Sequence, residues 1–205
     1  MRMSDARLMH MVKIAVVKVG GQYNHLIMRT IIDLGEESEL VPLSITLQEL
    51  EAQGFDGVVM GGGPQRVADE QDKLGNLADI LKNAKTPVLA LCVAHQLIAP
   101  AFGGKAGPAA QPEFGAIEVF VDDEDEILKG MGPSFKTVQS HNDEILVLPK
   151  GFKVLAHSEK CKYQVIRHAS RPLFGAQFHA ETMQGEKDEV IFQNFVRICK
   201  ENARK

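Results

Sequence analysis

Two hydrophobic patterns alternate along the first half of the chain. Short apolar runs typical of buried strands occupy 12–19, 39–41, 57–60 and 86–91. Between them, apolar residues recur at helical spacing, first at Leu26, Ile27, Ile31 and Leu34. Thr46 and Glu49 have the spacing of a capping box, which predicts a helix through Ala52. The pattern therefore predicts strands and helices in strict alternation.

This alternation predicts an α/β fold whose mostly parallel sheet is covered by helices on both faces. Ligands of such sheets bind at the carboxyl ends of the strands. After residue 104 the pattern changes to strands alone, at 116–121, 136–139, 153–156, 164–167 and 173–178. A last helix places Ile191, Phe195, Ile198 and Cys199 on one stripe, so Cys199 is expected in the core.

The length of the chain indicates how many domains it forms, and its charge excludes some classes of partner. A chain of 205 residues suits one well-buried domain, which we expect over 11–205. Residues 1–10 are polar and unpatterned, so we expect a disordered extension, with Met11 as the native start. A net charge of -4 indicates neither a nucleic-acid partner nor an anionic membrane surface.

The cysteines and apolar runs indicate a cytoplasmic protein. Cys92, Cys161 and Cys199 are odd in number and far apart, which argues against a disulfide framework and a zinc site. No apolar run approaches the ~20 residues that cross a bilayer. The acidic run at 122–126 has no ligand-spaced histidine or glycine, so a solvated loop is favoured over a metal site.

Cys92 is the first candidate for chemistry. It lies where the apolar strand at 86–91 meets the start of a helix, with almost no turn residues between. A nucleophile on such a strand-to-helix elbow projects above the sheet edge, beside the unpaired N–H groups of the helix. These donors and the positive end of the helix dipole favour a thiolate and stabilise the oxyanion formed after attack on a carbonyl.

His179 and Glu181 follow the last strand and complete a candidate catalytic triad with Cys92. Residues i and i+2 of an extended chain point the same way, so Glu181 can accept a hydrogen bond from one ring nitrogen of His179. The other ring nitrogen then faces the nucleophile. The antiparallel strands after residue 104 would bring His179 back over the sheet.

Each of these residues also has an ordinary structural interpretation. Cys92 could be a small buried hydrophobe, and the GGGP segment at 61–64 could be only a tight turn. His179 could be a strand-end histidine and Glu181 a solvated carboxylate. His141 could be a histidine held in a polar turn, and Cys161, between two lysines, is expected to be non-catalytic.

Three segments together resemble the class I glutamine amidotransferases. They are GGP at 62–64, ALCVAHQ at 90–96 and FHAE at 178–181, and the likeness covers nearly the whole chain from Met11. It implies a flavodoxin-like three-layer open sheet, mostly parallel, with an added antiparallel strand region. Ala90 and Ala94 replace the usual glycines of the elbow, and Ala180 replaces the usual proline. The added methyl groups are expected to strain the elbow slightly and slow the enzyme.

The resemblance also implies residue roles. Cys92, His179 and Glu181 would form the catalytic triad, and the N–H groups of Gly63 and Val93 the oxyanion hole. The residues expected to bind glutamine are Gln96, Ser140, Asn142 and Asp143.

Two further segments resemble one branch of the family. These are GGQY at 20–23 and SHNDE at 140–144, and they are similar to the glutaminase subunits of two-chain GMP synthases. The branch implies a partner, the ATP-pyrophosphatase subunit of GMP synthase, which uses the ammonia to convert XMP to GMP. ATP and Mg²⁺ are expected on that partner, with no cofactor or metal in this chain, since it has no Walker-type loop.

Three other functions stay open. The chain could be the glutaminase subunit of a different amidotransferase. It could be a cysteine hydrolase acting alone on a related elbow fold, although Gln96 weighs against this. It could also be a catalytically silent subunit, an interpretation that the two elbow alanines allow and the three triad residues oppose.

Overall fold

The computed structural model describes residues 11–204, so the expected extension at 1–10 lies outside the described residues. The first half alternates strands and helices: β1 (Lys13–Lys18), α1 (Asn24–Asp33), β2 (Glu37–Pro42), α2 (Leu47–Ala52), β3 (Gly57–Met60), α3 (Leu77–Asn83), β4 (Val88–Leu91) and α4 (Val93–Ala101). The second half is mostly strand: β5 (Lys105–Val121), β6 (Ser134–Val147), β7 (Phe152–His157), β8 (Val165–His168), β9 (Leu173–Ala176) and α5 (Asp188–Asn202).

Within this part of the chain one sheet carries nine strands in the order β2-β1-β3-β4-β9-β8-β7-β5-β6. Every pair from β2 to β9 is parallel, and every pair from β9 to β6 is antiparallel. The α/β fold with a mainly parallel sheet and an added antiparallel region is therefore confirmed. The last strand, β9, lies beside β4 and parallel to it, with Leu91 opposite Ala176.

The central strands β1, β3, β4 and β9 bury side chains on both faces of the sheet, as their continuous apolar runs predict. On one face, Val17, Val58 and Ala90 pack with residues of α2, α3 and α4. On the other face, Val16 and Leu91 pack with residues of α1 and α5. The result is a three-layer arrangement in which the C-terminal helix closes one side.

Local signals explain several element boundaries. The Thr46 hydroxyl accepts a bond from the Glu49 N–H at 3.2 Å, and the Glu49 carboxylate accepts one from the Thr46 N–H at 2.8 Å, so the predicted capping box is confirmed. Gly57 lies where α5 crosses β3, and a β-carbon there would collide with the sulfur of Cys199. Cys199 is fully buried, as predicted.

Two local expectations are wrong. His141 lies within β6, where it pairs with Glu113 of β5, and not in a polar turn. β5 and β6 are both much longer than the apolar pattern suggested. Between the buried Phe135 and Ile145, the inward positions of β6 are polar, so this stretch gives no hydrophobic alternation; these positions are Thr137, Gln139, His141 and Asp143.

Two side chains of the acidic run at 122–126 contact basic residues. Asp122 bonds His157 at 2.8 Å, and Asp125 bonds Arg167 at 2.6 Å. Across residues 11–204, no helix combines the length and apolar character needed to cross a membrane.

Candidate active site

Cys92 occupies the elbow between β4 and α4. Its backbone has φ 51° and ψ -111°, a sparsely populated positive-φ conformation that costs about 1–3 kcal/mol for a residue with a β-carbon. Its N–H donates to the carbonyl of Ala176 at 2.9 Å, which ties the elbow to β9. Cys92 lines two clefts and is 8% exposed. A strained but well-supported residue of this kind is typical of functional sites.

His179 reaches the elbow because β4 and β9 are parallel neighbours, so their carboxyl ends meet at one edge of the sheet. Its N–H donates to the carbonyl of Val138 in β6 at 3.0 Å. The sequence suggests an extended chain at His179 and Glu181, but the chain is not extended there. Residues Ala180–Thr182 form a 3-10 turn, and that turn places Glu181 under the imidazole.

His179 and Glu181 form a buried hydrogen-bonded pair. The His179 Nδ1 atom lies 2.7 Å from Oε1 of Glu181, and these residues are 9% and 2% exposed. Burial alone would lower the pKa of His179. Hydrogen bonds with Cys92 and Glu181, and their negative charges, outweigh burial and raise this pKa to about 11. The surroundings of His179, a sulfur on one side and a carboxylate on the other, therefore favour the protonated imidazole.

This raised pKa makes the stability of the protein depend on pH. Because the pKa of His179 is about 11 in the folded protein and near 6.5 otherwise, its stabilising contribution is complete below pH 6.5 and is lost as the pH rises through 11. We expect the difference in unfolding free energy between wild type and His179→Ala to shrink steadily from about pH 6 to about pH 10. Urea unfolding at several pH values measures it.

A control variant separates this effect from the titration of other groups. His25→Ala changes an exposed histidine of α1, and its difference from wild type should not follow the same course. A difference between wild type and His179→Ala that stays constant over this range would contradict the assigned pKa.

The glycine segment at 61–63 packs tightly against the site. A β-carbon on Gly62 would lie 3.0 Å from Cε1 of His179 and 3.4 Å from the β-carbon of Cys92. A β-carbon on Gly61 would collide with Asn24, and one on Gly63 with Gln65 and the carbonyl of Val19. Close approach, and not a positive φ, therefore requires glycine at these positions.

Two clefts meet at Cys92. The first, of about 630 Å³, includes His179, Glu181 and the rim residues Tyr23 and Phe114. The second, of about 600 Å³, includes Gly63 and Val93, the two predicted oxyanion donors. It also contains all four residues predicted to bind substrate, which are Gln96, Ser140, Asn142 and Asp143. The structure thus brings every predicted site residue to one place.

Known proteins of one family share this sequence and architecture. The model of the class I glutamine amidotransferase family matches residues 15–199. The chain belongs to this family. It is 45% identical to a protein of Ignicoccus hospitalis named as a subunit of GMP synthase (glutamine-hydrolysing), over 93% of this chain and all of that one. It is 44% identical to the protein of the same name from Sulfolobus acidocaldarius, over 92% of this chain and 99% of that one.

Solved structures agree with the family assignment. A Thermoplasma acidophilum protein, provisionally described as one subunit of GMP synthase, superposes with a TM-score of 0.89 at 37% identity, over 95% of this chain and 97% of that one. A Thermotoga maritima glutamine amidotransferase superposes with a TM-score of 0.75 at 17% identity, over 96% of this chain and all of that one. The second likeness concerns the fold alone.

In this amidotransferase, the side chain of Gln96 forms hydrogen bonds with residues of other elements. Its side-chain nitrogen donates to the carbonyl of Asp143 at 2.6 Å and lies 3.3 Å from the side-chain oxygen of Gln177. Gln96 thus joins α4 to β6. This contact fixes the position of Asp143 relative to Cys92, which lies one helical turn before Gln96.

A buried polar cluster supports Asp143 from behind. His141 places Nδ1 3.0 Å from the Asp143 carbonyl and Nε2 3.1 Å from Glu113. Glu113 also accepts bonds from Ser158 and Gln164, both at 2.7 Å. Burial alone would raise the pKa of Glu113, but its hydrogen bonds with His141 and Ser158 outweigh burial and hold the pKa below its usual value.

The same cluster contains one candidate set of metal ligands among the described residues. The ligand atoms of Glu113, His141 and Cys161 lie within 4.8 Å of one another. However, hydrogen bonds from the protein already satisfy both oxygens of Glu113. Burial raises the pKa of the Cys161 thiol, which opposes the thiolate that a metal needs. The cluster is therefore explained as structural support.

Sequence reasoning missed three residues of this amidotransferase site. Arg66 faces Asp143 across the second cleft. Tyr23 stands edge-on to the His179 ring, with ring centroids 6.2 Å apart. Glu113 supports Asp143 through His141. Tyr23 was within the GGQY segment, but neither Arg66 nor Glu113 belongs to a motif, and only the fold brings them to the site.

The elbow alanines are accommodated in the core. Ala90 and Ala94 are both fully buried, within the same cluster as Val93 and Leu97. Each methyl group therefore lies among apolar neighbours. The effect of these alanines on the rate stays a prediction.

Proposed function

We propose that this chain hydrolyses glutamine to glutamate and ammonia, as the amidotransferase subunit of a two-chain GMP synthase. The observation that carries the chemistry is the arrangement around His179. Its ring is held by Glu181 at 2.7 Å on one side and faces the elbow residue Cys92 on the other. A nucleophile, an acid and base, and an orienting carboxylate are the parts that amide hydrolysis needs.

The proposed reaction has two halves. First, the sulfur of Cys92 attacks the side-chain amide carbon of glutamine, and the N–H groups of Gly63 and Val93 stabilise the oxyanion. The protonated ring of His179 donates its proton to the amide nitrogen, the C–N bond breaks, and ammonia leaves. A thioester between Cys92 and the γ-carboxyl group of glutamate remains.

The second half restores the enzyme. His179, now neutral, takes a proton from water while the oxygen of that water attacks the thioester carbon. The C–S bond breaks, glutamate leaves, and the proton on His179 is available for the next cycle. Glu181 holds the ring in one orientation through both halves and balances its charge.

The assignment to GMP synthase is supported by sequence likeness. Proteins named as one subunit of GMP synthase (glutamine-hydrolysing) match more than 90% of the chain at 40–45% identity. The word subunit in their names implies a second chain. We propose that this partner is an ATP-pyrophosphatase subunit that binds ATP, Mg²⁺ and XMP and receives the ammonia. The buried, free cysteines support a cytoplasmic setting for this chain.

Exposed apolar side chains at the first cleft support a docking site for this partner. Tyr23, Phe114 and Met183 are 37%, 58% and 42% exposed. Tyr23 and Phe114 line the cleft, and Met183 lies between two residues that do, Thr182 and Gln184. Apolar groups clustered at a functional cleft are typical of interaction surfaces. Because the Tyr23 ring packs against the His179 ring, a partner that contacts Tyr23 can shift His179.

We expect the chain alone to be a weak glutaminase that its partner activates. Uncoupled hydrolysis would release ammonia to solvent, and the rim contact with Tyr23 gives the partner a direct route to His179. Glutamate release should be measured for the chain alone, with the synthetase subunit, and with that subunit plus ATP, Mg²⁺ and XMP. The rate should rise most in the last mixture, together with GMP formation.

Variants of the rim sharpen this experiment. Phe114→Ala should reduce activation, while Ile32→Ala, which removes an exposed side chain of α1, should not. Equal turnover in all three mixtures would refute coupling and favour a hydrolase that acts alone.

A further inference from the structure

Arg66 and Asp143 form an ion pair across the second cleft. Nε of Arg66 lies 3.4 Å from Oδ2 of Asp143, and the terminal nitrogen lies 3.4 Å from Oδ1. Charge-assisted bonds of this kind usually measure about 2.7–2.9 Å, so the pair is loose. The Arg66 side chain is 54% exposed, whereas that of Asp143 is 7% exposed. Because a long, half-exposed pair contributes little to stability, it opens easily.

The charges of the second cleft match those of a free amino acid. Arg66 and Asp143 are the lining residues with a permanent charge, one positive and one negative. His141 also lines the cleft, but its ring is 1% exposed and is bonded to Glu113 and the Asp143 carbonyl. The α-ammonium group of an amino acid pairs with a negative side chain, and its α-carboxylate pairs with a positive one. A glutamine side chain within a peptide carries neither charge.

This ion pair and Cys92 line the same cleft, which suits the length of glutamine. The side chain of Gln96 touches the Asp143 carbonyl, and Gln96 lies four residues after Cys92 on α4, a rise of about 6 Å. In glutamine, three C–C bonds of about 1.5 Å separate the amide carbon from the α-carbon. An amide at Cys92 therefore places the α-carbon substituents near the ion pair.

Asp143 and Arg66 differ in how firmly the protein holds their side chains. Asp143 is fixed, because its carbonyl is bonded by Gln96 and His141 and its strand pairs with β5 at Pro108. Arg66 has a fixed backbone, with its N–H donating to Glu70 at 2.9 Å, but its half-exposed guanidinium makes only long contacts with Asp143. Arg66 can therefore move to a ligand while Asp143 stays in place.

We infer that Arg66 binds the α-carboxylate of free glutamine while Asp143 binds its α-ammonium group. The inference rests on the proposed glutaminase function and adds a selection rule to it. Substrate exchanges the loose Arg66–Asp143 pair for two ion pairs, one at each end of the zwitterion. The site then selects free glutamine over amides that lack either charged group, and over glutamine within peptides.

Substrate analogues test this assignment. Glutaramate lacks the α-amino group, and γ-aminobutyramide lacks the α-carboxylate. We expect Arg66→Gln to lower kcat/KM for L-glutamine about 10- to 100-fold, mainly through KM, because a charge-assisted bond is lost. It should lower the value for glutaramate to a similar extent and leave the already low value for γ-aminobutyramide unchanged. Arg66→Lys should recover part of the loss.

Covalent labelling gives a readout that does not need turnover. A diazoketone analogue of L-glutamine carries both α-substituents, whereas iodoacetamide carries neither. Arg66→Gln should slow labelling of Cys92 by the analogue and leave labelling by iodoacetamide unchanged. Arg29→Gln is the matched control, since Arg29 is an exposed arginine of α1 that pairs with Asp33 away from both clefts.

The outcomes separate this inference from the proposed function. If wild type hydrolyses glutamine and Arg66→Gln has the same KM, the role of Arg66 is refuted while the glutaminase stands. An equal loss on γ-aminobutyramide also refutes it, because that amide has no carboxylate to bind. If the wild-type chain and its partner do not hydrolyse glutamine, the proposed function fails, and this inference fails with it.

Discussion

Replacing Cys92 with alanine should abolish glutamine hydrolysis, with a loss of at least about 10⁴-fold, and leave the fold intact. The sulfur is the atom proposed to form the thioester, and His179 cannot act as acid and base without an acyl group to transfer. The fold should survive because Cys92 lies at a cleft wall. Glutamate release measures the activity, and circular dichroism with thermal unfolding measures the fold.

Stability supplies a control for Cys92. Its φ of 51° strains any residue with a β-carbon, so Cys92→Gly should be about 1 kcal/mol more stable than Cys92→Ala, while both are inactive. This difference separates the loss of the sulfur from damage to the elbow.

Labelling supplies the decisive contrast. A glutamine-like electrophile should modify Cys92 and spare Cys161 and Cys199, because burial raises the pKa of both other thiols. Modification of Cys161 or Cys199 in its place, or an active Cys92→Ala variant, would overturn the nucleophile assignment.

His179→Ala should lower single-turnover hydrolysis by about 10²- to 10⁴-fold, because the same ring serves as acid and then as base. Glu181→Gln should cost less, about 10- to 100-fold, since the ring survives and only a charge-assisted bond is weakened. Rapid quenching should show thioester accumulating in any His179 variant that can still form it. The ratio of acylation to deacylation rates then separates the two proton transfers.

His141 provides the comparison for His179. Its ring is bonded to Glu113 and to the Asp143 carbonyl, so it supports the substrate cleft and does not face the sulfur. His141→Ala should raise KM more than it lowers the single-turnover rate. A larger loss of single-turnover rate in His141→Ala than in His179→Ala would mean that the wrong histidine had been assigned.

Where the signals were local, the sequence predicted the fold closely. β3 begins and ends at the predicted residues because it is a continuous apolar run between turn residues. The capping box of α2 is likewise encoded within four residues. The elbow was visible because a buried strand meets an apolar helix at Cys92 with no turn between them.

Long-range features were harder to predict. β6 turns polar side chains inward, which no hydrophobic pattern reveals, and β5 contains Pro108 and Pro112, which usually interrupt strands. The parallel pairing of β9 with β4 joins segments about eighty residues apart, so no local spacing encodes it. For the same reason, Arg66 could not be recognised until Asp143 was placed opposite it.

The tight packing of the glycine segment at 61–63 also limits how this enzyme can change over evolution or in the laboratory. Three successive positions are each blocked by different neighbours: Asn24 of α1 at Gly61, the imidazole of His179 at Gly62, and Val19 with Gln65 at Gly63. No single compensating substitution can make room for a side chain at all three. Efforts to alter this enzyme in the laboratory should therefore keep 61–63 as glycine and vary the rim residues Tyr23 and Phe114.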